Sequence, residues 1–94
     1  MASVYEEQSM GMAHLRIALV SDRGRADLLA CRVHGYGAAV GETLWFMTDS
    51  RQSADVIAFF CSEGFAQLKV CFVPTRGEAG WVHAHPLRGR LRRR

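Results

Sequence analysis

Proline is scarce in this chain, with two residues in 94, while 49% of the residues are hydrophobic. Together these exclude a disordered or linker-type composition. Long hydrophobic runs are also missing. The longest, Val56 to Cys61, falls far short of the roughly 20 residues of a membrane-spanning helix. The N-terminal MASVYEEQ has neither a basic nor an apolar segment of secretory type, so the cytoplasm is the expected compartment. Cysteine is limited to Cys31, Cys61 and Cys71, an odd number, each within an apolar stretch. Small disulfide scaffolds carry more, in even number, so three reduced thiols serving as small hydrophobes are expected. No CxxC, nucleophile elbow or phosphate-binding loop occurs.

Acidic residues are absent from the last eight positions, LRGRLRRR, which carry five Arg. The net charge of +3 therefore belongs to the tail, since residues 1–86 alone are net acidic. The folded part lacks the basic excess of a nucleic-acid-binding domain. The expected organisation is a single domain over 1–86 followed by a disordered basic tail, 87–94.

What is present is a repeat. Gly-x-Ala occurs at Gly11–Ala13, Gly24–Ala26, Gly37–Ala39, Gly64–Ala66 and Gly77–Ala79, with a degenerate copy at Gln52–Ala54. Successive alanines lie 12 to 15 positions apart, giving six units of about 13 residues. Each unit continues with apolar residues at period two: Leu15, Ile17, Leu19; Val56, Ala58, Phe60; Leu68, Val70, Phe72. That period in so short a run predicts β-strands, about seven in all, from Ser3–Gln8 to Trp81–Ala84. Polar turns ending in glycine, such as Ser21–Gly24, suggest tight hairpins with a left-handed glycine. The predicted fold class is therefore all-β, an antiparallel meander rolled into a barrel-like sheet. A two-sided β-solenoid is the alternative.

The opposite face of these strands is also apolar at Leu29, Cys31, Val33, Ile57, Phe59, Cys61, Cys71 and Val73. A sheet with one wet face would be polar there. Something must cover it, either the sheet itself or another copy of the chain. A homo-oligomer is expected, through Ile57, Phe59 and Cys61 or along the uncharged strand edge at Trp81.

The repeat resembles an uncharacterised bacterial family of short β-repeats, catalogued as domain of unknown function 6150. The resemblance covers roughly residues 3–82 and rests on Ala26-Asp27-Leu28, Leu44-Trp45-Phe46 and Glu78-Ala79-Gly80-Trp81. It implies no activity, cofactor or catalytic residue, and the basic tail departs from it.

Few side chains suggest chemistry. His83 and His85 would share one face of an extended strand, but no second ligand pair accompanies them, so no metal is expected. Asp22, Asp27, Asp49, Asp55, Glu63 and Glu78 fall at turns or strand starts, where solvated carboxylates are expected rather than an acid–base pair. The expectation is a non-catalytic structural or self-assembling interaction module with no cofactor and no identified small-molecule substrate. The alternative is an accessory binder of nucleic acid or another anionic surface, through weak non-specific contacts of Arg88, Arg90, Arg92, Arg93 and Arg94.

Overall fold

A computed structural model describes residues 2–39 and 41–91. It is all-β: β1 (Ala2–Glu6), β2 (Leu15–Leu19), β3 (Leu28–Arg32), β4 (Leu44–Met47), β5 (Val56–Phe60), β6 (Leu68–Val73) and β7 (Gly80–Trp81). The order around the sheet is β4-β1-β5-β2-β6-β3, and a β3–β4 pairing closes it into a six-stranded barrel. All six of these strands run parallel. The short β7 is antiparallel to β3 and takes the stretch of its edge, Leu28 and Leu29, that lies before the pairing with β4 begins at Cys31.

The antiparallel meander is therefore overturned. Parallel neighbours usually need long crossovers, but that rule describes crossovers that run through a helix. A five-residue strand spans only about 17 Å. An extended return of eight residues reaches about 26 Å, which is ample. The residues assigned to tight turns are part of this return path.

The expected hairpin turns are absent with it. Gly11, Gly24, Gly37, Gly64 and Gly77 are each the middle residue of a one-turn 3-10 helix. Positive φ among the described residues is confined to Gly41 and Gly89. In four of the turns the alanine after the glycine closes the turn, its N–H donating to the carbonyl three residues back.

The chain winds about the barrel axis and its second lap lies between strands of the first. The β1–β2 connection passes β5, and the β2–β3 connection passes β6. Cys61 and Cys71 therefore meet different strands of the first lap. The Cys61 N–H donates to the Ile17 carbonyl, and Cys71 is in register with Leu29. All three cysteines are free thiols.

The core fills the barrel. Ala2, Val4, Leu15, Ile17, Leu28, Ala30, Trp45, Val56, Ala58, Leu68 and Val70 point inward, the period-two face extended to every strand. The outward apolar face is largely covered by the chain's own returns. Val20 and Ala26, from the β2–β3 connection, pack with outward Cys71 and Leu29. Ile57 is fully buried.

Candidate binding site at the barrel mouth

Because the six barrel strands are parallel, their C-terminal ends meet at one end of the molecule. Each delivers its last inward side chain there: Glu6, Leu19, Arg32, Met47, Phe60 and Phe72. Five of these close their strands, and Phe72 is penultimate in β6. They line a cup of about 330 Å³, within the lower range of small-molecule pockets. Around the rim the order is Met47, Glu6, Phe60, Leu19, Phe72, Arg32. Leu19 is half exposed in spite of its inward register.

The Arg32 guanidinium lies over the Phe72 ring, 5.4 Å from its centroid, close enough for a cation–π contact. No ion pair links Arg32 to Glu6 among the described residues. A smaller hollow of about 230 Å³ adjoins the cup, shares Arg32 and Met47, and adds Val33, His34 and Phe46. The mouth was not anticipated from the sequence. Its one signal was a charge at an inward position, Glu6 after Val4 and Arg32 after Ala30.

At the opposite end the strands begin, and polar side chains there belong to the framework. Asp27, expected in water, is buried. Its Oδ2 accepts the Lys69 N–H at 2.9 Å, and its own N–H donates to the Lys69 carbonyl. Asp55 likewise accepts from the N–H and hydroxyl of fully buried Ser3, and Gln67 Oε1 accepts the Arg16 N–H. In each case the residue after the alanine engages the start of the next strand.

His83 and His85 both converge on Asp27. His83 Nε2 is 2.8 Å from Asp27 Oδ1, and its Nδ1 is 2.8 Å from the Ala84 carbonyl oxygen. Both partners are acceptors, so the geometry favours the form in which both ring nitrogens carry protons. The Ala84 carbonyl first, then the Asp27 carboxylate, hold the His83 pKa above the ordinary histidine value. His85 Nε2 lies 3.6 Å from Asp27 Oδ2, and its Nδ1 accepts the Leu87 N–H. A histidine coordinating through Nε2 keeps its proton on Nδ1, which that contact opposes. No cluster of metal-ligand type occurs among the described residues.

The remaining expected residues are dispersed. Of the proposed interface, Ile57 is buried and Phe59 and Cys61 are half-buried. Trp81 is tied down by β7 pairing, by its Nε1–H donating to Glu42 at 3.2 Å, and by stacking with His85. Leu87 to Leu91 do not trail into solvent. The Glu42 carboxylate accepts the N–H groups of Gly89 and Leu91, and Leu91 is buried in the core cluster. Arg88 and Arg90 are exposed, while Arg92, Arg93 and Arg94 lie outside the described residues. No helix among the described residues is long and apolar enough to cross a membrane.

A closed parallel barrel, wound so that a second lap fills the gaps of the first and open where its strands end, defines the class of domain. A family model described as the 7(1) septoil knot domain matches residues 1–82, and the chain belongs to that family. Neither a curated protein nor a solved structure matches the chain.

Proposed function

We propose that the domain is a non-catalytic binding module that takes a small amphipathic ligand in the mouth of its barrel. The observation that carries this reading is the convergence of six strand ends on one cup, with four apolar side chains and a guanidinium free of any carboxylate. Leu19 and the rings of Phe60 and Phe72 offer area for an apolar body, and Arg32 offers forked donors. The rim supplies no Ser, Cys, Lys or His and a single carboxylate, Glu6, with no second acid–base group beside it, which supports binding over catalysis. Self-assembly is the less favoured reading, because returns of the same chain cover much of the outer apolar face and barrel closure leaves little open edge.

The test uses 8-anilinonaphthalene-1-sulfonate, an amphipathic anion whose emission rises in apolar surroundings. One saturable site is expected, lost in Phe60→Asp and weakened in Arg32→Gln, with both variants melting cooperatively. Unchanged emission with the wild type, or equal binding by a folded Phe60→Asp variant, would overturn the proposal.

A further inference from the structure

We infer that the mouth selects a zwitterion with an apolar body, of the apolar α-amino acid class, an inference that rests on the mouth being a binding site. The rim has two halves. Met47 sits between Glu6 and Arg32 on one side, and Phe60, Leu19 and Phe72 form the other. The Glu6 carboxylate and the Arg32 guanidinium share this rim, yet among the described residues neither side chain has a hydrogen-bond or ion-pair partner. Arg32 is held over Phe72 instead.

Two unpaired opposite charges beside an apolar wall set the ligand's own charge pattern. A simple carboxylate gains Arg32 but meets Glu6, and a simple amine gains Glu6 but meets Arg32. A ligand with both groups on one carbon satisfies both side chains across Met47, while its apolar body lies against the rings and Leu19. Burial of that body strengthens both charged contacts by excluding water. The cup's 330 Å³ equals about eleven waters at their share of liquid volume, enough for a leucine- or phenylalanine-sized molecule.

The experiment is amide chemical-shift titration of the full chain with three probes of one shape: L-phenylalanine, 3-phenylpropionate and phenethylamine. Phenylalanine is expected to bind about tenfold more tightly than either of the others, with shifts at the six rim residues. Glu6→Gln should bring phenylpropionate level with phenylalanine, and Arg32→Gln should bring phenethylamine level. Rim shifts with equal affinity for all three probes would overturn the charge selection and leave the mouth as a binding site. Binding of phenylpropionate alone would also overturn it, in favour of a simple anion. Absence of rim shifts with every probe would overturn the mouth reading itself.

Discussion

Asp27 shows how far one residue's role depends on what lies across from it. By composition it is a polar residue at a strand start, yet it is buried, accepts the Lys69 N–H and faces two imidazoles. Asp27→Ala removes the acceptor and leaves that N–H without its side-chain partner. A destabilisation of about 1–3 kcal/mol in urea unfolding is expected, as for an orphaned buried donor. Folding raises the His83 pKa, through the Ala84 carbonyl first and then the Asp27 carboxylate. A group whose folded pKa is raised stabilises fully below its unfolded value and loses that contribution as pH climbs through the folded value. The melting temperature should therefore fall as pH rises from the ordinary histidine range upward. His83→Gln should flatten this part of the profile, and an unchanged slope in that variant would contradict the imidazolium assignment. Glycine behaves against its first reading too. Gly77 has no positive φ and open space where a Cβ would stand, so nothing in the structure requires glycine there. Gly77→Ala should be neutral or stabilise by up to about 1 kcal/mol. At Gly41, with φ of +70°, alanine should cost about 1 kcal/mol or more by the same measurement.

At the scale of the element, period two located the strands and their inward faces. Leu15, Ile17, Val56, Ala58, Leu68 and Val70 all line the core as that pattern requires. Strand direction was not legible, because a 13-residue unit accommodates either a hairpin or a short strand with an extended return. The mouth was hidden for the same reason. In an antiparallel meander the ends of successive strands alternate, so Leu19 would lie at the opposite end from Glu6 and Arg32, and the six strand ends would never share one rim. Side-chain partners such as Asp27 with Lys69 depend on ladders between distant units, which a local pattern does not encode. The C-terminal segment was misread because its charge stands out and its apolar residues are sparse. Leu87 and Leu91 interrupt the arginines, and Leu91 is only 3% exposed. Leu91→Ala should cost about 2–5 kcal/mol, the range for truncating a buried leucine. Arg90→Ala, at an exposed neighbour, should stay within about 0.5 kcal/mol. Equal, negligible effects in thermal melts would place the segment in solvent.

For the whole molecule, the decisive property is how far apart in sequence the paired strands lie. Cys31 and Leu44, the nearest pairing, are thirteen positions apart. Every other ladder joins residues more than forty positions apart, as in Ala2↔Trp45, Val4↔Val56, Leu15↔Ala58, Ile17↔Leu68 and Leu28↔Val70. The entropy of closing these long loops precedes the contacts that compensate it. The interleaving adds an order to assembly, since β5 must enter between β1 and β2, and β6 between β2 and β3. Completion of the barrel around β2 therefore waits for the second lap. A fragment ending at residue 55 contains β1 to β4, but β2 then has neither of its partners, β5 and β6. That fragment should show no cooperative melt by far-ultraviolet circular dichroism. The full chain should refold on the order of a second or slower after dilution from denaturant, at the slow end for its length. Submillisecond refolding, or a cooperatively folded 1–55 fragment, would be incompatible with a barrel in which β2 pairs only with strands of the second lap.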